Sequence, residues 1–218
     1  MNHQDITIMG ESHMSGGGYG FVKILGNAST QEDMEAEGIK VVGSGEFRSV
    51  KAGEIKVTGN ARFTGPLKVT RLEISGSVDT LSTVKAQSIK VYGALTATEE
   101  VSAEKFHAKG LIKLTSLNAD DILIEPAENC RVHEVGGEKV QVKPLGMFRL
   151  GFFGFNHAKR LVSDIIEADR IELSNTTARI VKGNQVIIGP GCNIETVEYQ
   201  DSLEVDGNST VKNQVKVG

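Results

Sequence analysis

Apolar and polar residues alternate in short bursts along the chain, and the bursts recur at a nearly fixed interval. Each reads apolar, variable, apolar, variable, then Gly: ITIMG, VKILG, IKVVG, IKVTG, LEISG, IKVYG and FHAKG. The closing glycines are Gly10, Gly26, Gly43, Gly59, Gly76, Gly93 and Gly110, and Pro126 of ILIEP holds the next place. The steps are 16, 17, 16, 17, 17, 17 and 16 residues. A side-chain period of two marks a strand. Ile39 and Val41 therefore point one way, and Lys40 and Val42 the other.

Two further columns keep step with the first. One runs Gly45, Ala61, Val78, Leu95, Ile112. The other pairs Val50, Leu67, Val84, Val101 and Leu117 with Ala52, Val69, Ala86, Ala103 and Ala119. Three short apolar pairs per repeat of about 17 residues predict a triangular coil, with coils stacked at about 4.8 Å, the inter-strand spacing of a sheet. The predicted fold is all-β: a β-solenoid, or β-helix, filled with Ile, Val, Leu and Ala. A 3.6-residue period is absent from 36–126, and helical repeats run longer, at about 33–47 residues. The pattern resumes at ADRIELSN (168–175), VIIG and LEVDG. Three segments are thus expected: a main solenoid over 1–130, an irregular insertion over 131–165, and further coils over 166–218.

Composition narrows the class. With 39% hydrophobic residues in 218, the chain can fill a core. A net charge of −4 and a pI near 5.8 argue against a general nucleic-acid binder. The 25 Gly follow no G-x-y period, which excludes collagen. MNHQDITIMGESH lacks the basic and apolar regions of a signal peptide. LGMFRLGFFGF (145–155) is the most apolar run, too short to span a bilayer and carrying Arg149. Cys130 and Cys192 have no CxxC partner, and read as two reduced thiols of a cytoplasmic protein, although a disulfide between them fits on paper.

Candidate chemistry is sparse. Gly16-Gly17-Gly18-Tyr19-Gly20 lacks the GK[ST] of a phosphate loop and reads as a turn. Asp120-Asp121 would need more converging oxygens to hold calcium, and reads as corner carboxylates. His107 takes an outward slot between Phe106 and Ala108; it is the best-placed catalytic base, against the simpler reading of a surface residue. The outward column Lys23, Lys40, Lys56, Glu73, Lys90, His107 could face a polyanion, or keep a flat β-surface from pairing sideways. Residues 131–160 carry +4, and Phe148, Phe152, Phe153 and Phe155 are half of all the Phe. With Arg149 they suggest a membrane-surface or partner contact, against a segment folded back over the solenoid. No catalytic, cofactor-binding or metal-ligating set is assigned, and no cofactor is expected.

The stretch LEISGSVDTLSTVKAQSIKVYGALTATEEVSAEKFHAKGLIKLTSLNADDILIEP resembles the repeat of the bactofilins, polymer-forming cytoskeletal proteins of bacteria. The resemblance covers roughly 5–126, with weaker matches in 166–210. It implies a right-handed triangular β-helix and a cytoplasmic, often membrane-associated scaffold that assembles without nucleotide and has no catalytic residues. The chain departs from the family pattern in lacking Pro-rich tails, in its length, and in the Phe-rich interruption. The terminal coils of a solenoid leave unpaired strand edges, so the expected function is a scaffold that self-assembles through its ends, with Ile6 and Ile8 at the N-terminal one. The expected partners are other copies of the chain, with a membrane surface or another cytoplasmic protein as further contacts, and no nucleic acid. The competing reading is an acyltransferase-like enzyme with a left-handed β-helix. Ile188 with Ile194, and Val205 with Val211 and Val217, mimic its six-residue period, whereas the main array steps 16–17 rather than 18. A carbohydrate-active β-helix would have longer coils and an aromatic, acidic groove.

Overall fold

The computed structural model describes residues 4–145 and 159–218. Its described secondary structure is a single 16-stranded sheet, wound so that each strand pairs in parallel with strands about one repeat away. One column of the register runs Ile6, Val22, Ile39, Ile55, Leu72, Ile89, Phe106, Ile122, Val140, Ile171, Val186, Leu203. The fold is therefore a β-solenoid of about twelve coils. Each coil has three faces, and each face sends a pair of side chains inward. In one coil the pairs are Ile55 and Val57, Ala61 and Phe63, Leu67 and Val69, all buried.

Stacking like on like gives the core its continuity. Ile24, Val41, Val57, Ile74 and Val91 form one buried column. Phe47 and Phe63 stack in another, ring centroids 5.3 Å apart. Thr30 and Thr80 flank them in the same column, and each hydroxyl exchanges hydrogen bonds with the backbone two residues on. No buried side-chain polar atom among the described residues lacks a partner, as an interior this dry requires.

The alternation of 16- and 17-residue steps has a local cause. The corner between the second and third faces takes one residue more in some coils: Thr30 to Met34 against Phe47 to Val50. The ladder slips by one residue there, and again between Ala97 and Glu100. The corner between the first and second faces is held constant by the glycines. Gly26, Gly43, Gly59, Gly76, Gly93 and Gly110 each sit so close to the coil before that a Cβ would overlap the carbonyl oxygen of the preceding glycine. That oxygen accepts from the residue after the next glycine, as in Ser77 N–H to Gly59 O at 2.9 Å. None of these glycines has a positive φ. Close approach, not a left-handed backbone, selects Gly.

The irregular stretch expected over 131–165 is narrower than the sequence pattern suggested. Strand Cys130–Val142 pairs with Leu111–Ile124 on one side and Leu161–Leu173 on the other. The coils on either side belong to one stack rather than two. Gln141 and Glu172 are register partners 31 residues apart, so the extra length falls between Val142 and Leu161. That position is the same corner that the glycines occupy in the earlier coils.

Candidate assembly surfaces

Among the described residues the backbone is incompletely paired at the first and last coils. At the N-terminal end, Ile6–Ile8, Glu11–His13 and the start of Gly17–Ile24 each pair on one side only among the described residues. Ile6 and Ile8 align with Val22 and Ile24 and are half-buried. Tyr19 also packs against the core from this end, and Met14 is buried in the coil. The coil is tied down by Phe21 N–H donating to Asp5 Oδ1 at 2.7 Å and Gly20 N–H to Gln4 O at 3.1 Å. Met9 and Phe21 are largely exposed on the outside of the first coils.

At the other end, Leu203 and Val205 close the first face and Val211 the second. On the third face the register places Gln214 and Lys216 in the inward slots filled one coil earlier by Val197 and Tyr199. The ends therefore differ. Face one is apolar at both and face two pairs a serine with an apolar residue at both, Ser12 with Met14 and Ser209 with Val211, whereas the third face ends in Tyr19 at one and in an amide and an ammonium at the other.

The flanks carry the ionisable groups. Lys56 Nζ meets Glu73 Oε1 at 2.7 Å, and that contact, through its hydrogen bond and its charge, holds the Lys56 amine above its usual range. His107 is not isolated. Its Nε2 lies 2.8 Å from Glu125 Oε2, which Lys109 also approaches at 3.2 Å. Burial pushes the Glu125 carboxyl up, but the hydrogen bonds and charges of His107 and Lys109 outweigh it and leave the group below its ordinary value of 4.5. A histidine tied to a carboxylate that is itself clamped by a lysine is a surface cross-link between coils. Asp120 and Asp121 are both exposed, and no cluster of three or more His, Cys, Asp or Glu suited to a metal occurs among the described residues.

Cys130 and Cys192 are both buried free thiols of one inward column, with Leu161 and Thr176 between them. Three coils at about 4.8 Å put them well beyond disulfide reach. Burial raises both thiols above their usual range. Phe148, Arg149, Phe152, Phe153 and Phe155 lie outside the described residues. No described helix is long and apolar enough to cross a membrane.

No protein-family model matches the chain, and no solved structure matches it. Two proteins of Bacillus subtilis (strain 168) are similar to it, both described as uncharacterized. YhbF is 44% identical over 86 residues, which are 39% of this chain and 34% of YhbF. YhbE is 40% identical over 103 residues, 46% of this chain and 43% of YhbE. The chain thus spans less than half the length of these relatives.

Proposed function

We propose that this chain is a structural scaffold that self-assembles through the ends of its β-solenoid into polymers needing no nucleotide, and that it works in the cytoplasm. The observation that carries the reading is the first coil. Its strand edges are unpaired among the described residues, and Ile6 and Ile8 are only half-buried where every later member of their columns, up to Ile188, is buried. A coil from another copy offers the matching backbone groups, because the repeat makes successive coils alike. Completing the burial of each aliphatic side chain at such a junction is worth up to about 1.5–3 kcal/mol. The resemblance to the bactofilin repeat points the same way.

The test is Ile8→Pro or Ile8→Asp, followed by light scattering and electron microscopy. The expected result is concentration-dependent assembly of the wild type that either change abolishes while the circular dichroism stays that of a β-protein. A wild type that remains monomeric at every concentration defeats the proposal. Saturable binding of coenzyme A would favour the acyltransferase reading instead.

A further inference from the structure

We infer that the third face is a lateral self-pairing surface, on which two copies lie antiparallel, side by side. The outward positions at the centre of this face read Lys51, Lys68, Lys85, then Ser102, Asn118, Gly136, and then Glu167 in successive coils. The first half is thus basic. In the second half the flanking positions add Glu134 and Glu138, both exposed. Lys68 and Lys85 have no carboxylate within ion-pair distance among the described residues, and Glu134, Glu138 and Glu167 have no cation. Along the central row the charges left unmatched within the chain are sorted by sign, while Glu100, Glu104 and Asp120, exposed in the flanking positions, put carboxylates at the middle of the face.

The same face is hollow. The inward slot beside that row holds small residues, Ala86, Ala103, Ala119 and Gly137, and the concavity of about 700 Å³ runs from Ser102 to Glu167. At Gly136 and Gly137 its floor is backbone.

A face that is basic in one half and acidic in the other is self-complementary under a two-fold axis across the stack. With the axis between Ser102 and Asn118, Lys68 of each copy meets Glu167 of the other. Lys85 enters the hollow at Gly136 between Glu134 and Glu138. Lys51 then faces Lys182, but each keeps its own carboxylate, Glu35 at 2.6 Å and Glu198 at 3.2 Å, so that row is neutral. Eight coils at about 4.8 Å and a width of roughly 13 Å give each copy about 500 Å², the size of a weak, transient contact. This pairing is independent of end-to-end stacking. It uses another surface, and being electrostatic it weakens with salt, whereas apolar burial at the ends does not.

Sedimentation of the end-blocked variant I8D at low ionic strength tests the pairing. We expect a dimer at tens of micromolar that dissociates in about 0.5 M salt, where screening falls to about 4 Å. In the same background K68E/K85E and E134K/E138K/E167K should each be monomeric, and a 1:1 mixture of the two should pair, since the reversed positions of one copy then meet opposite charges on the other. A cross-linking measurement does not depend on I8D folding. K68C protein mixed with E167C protein should be joined by a bifunctional thiol reagent spanning about 10 Å, the separation of facing sheets, and neither should be joined alone, because each engineered cysteine would be about 24 Å from its own counterpart along the stack. A monomer at low salt, a dimer that survives the single charge reversals, or cross-links that form without mixing would overturn the inference. Loss of end assembly leaves these results unchanged, so the two proposals fail separately.

Discussion

Replacing Gly76 by Ala isolates the force that sets the coil spacing. A Cβ at this position overlaps the carbonyl oxygen of Gly59 and lies 2.6 Å from that of Thr58. Neither oxygen can swing aside as a side chain could. Gly59 O accepts from Ser77 N–H at 2.9 Å, and the neighbouring Gly76 N–H to Val57 O bond is 3.1 Å. Relief requires the coils to part by about an ångström, which stretches both bonds. Overpacking costs about 1–3 kcal/mol and a backbone bond left unmade about 1–3 kcal/mol, so a loss of about 2–6 kcal/mol follows. Gly10 supplies the control. It occupies the same corner of the first coil, but nothing lies within 4 Å of the point where its Cβ would stand, and its φ is not positive. Gly10→Ala should stay within about 0.5 kcal/mol of the wild type. Urea unfolding followed by circular dichroism measures both. Equal stability of the two variants would refute the close-approach argument and leave conformational preference as the reason for Gly.

Two further outcomes follow from the titrating groups. Because Glu125 is held below its ordinary value, its cross-link contributes stability above pH 4.5 that is lost as pH falls through the lowered folded value. Glu125→Gln should therefore cost about 1 kcal/mol at pH 6 and progressively less as the pH is lowered below 4.5, checked by urea unfolding across that range. Cys130 and Cys192, buried with raised thiol pKa values, should resist a thiol reagent in the native protein and react fully in denaturant; rapid native labelling of either would contradict their place in the core.

The fold was legible because one physical rule, like residues stacked at one spacing, repeats often enough to be read from apolar columns alone. The rule failed at CRVHEVGGEKVQV (130–142), where the corner glycine is missing and the small slot is filled by Gly137. Its inward residues are nonetheless Val132, Val135, Val140 and Val142, all buried. Ile6 and Ile8 stand at the end of the stack, where their place in the repeat put them. The partner of His107 was hidden because Glu125 lies one coil further on, in the corner position of the next repeat. The charge sorting of the third face was hidden for a related reason. Lys68 and Glu167 are far apart in the chain and share a face only once the register across the long step from Val142 to Leu161 is known.

The asymmetry of the ends bears on how a polymer would grow. Both ends offer hydrogen-bonding edges, so edge pairing alone would make them equally adhesive. Burial distinguishes them. Stacking a coil on the N-terminal end completes the covering of Ile6, Ile8 and Tyr19, all partly buried already. Stacking on the last described coil covers Leu203, Val205 and Val211, but also takes Gln214 and Lys216 out of water in inward slots. An inward-pointing lysine at a sheet edge is a device against such pairing, since its ammonium must be dehydrated without a partner. On the proposed function, then, the N-terminal end is the stronger contact, and Lys216→Leu should strengthen the weaker one, read as longer assemblies at equal protein concentration. Unchanged assembly length would show that the edges, and not the inward slots, decide which ends meet.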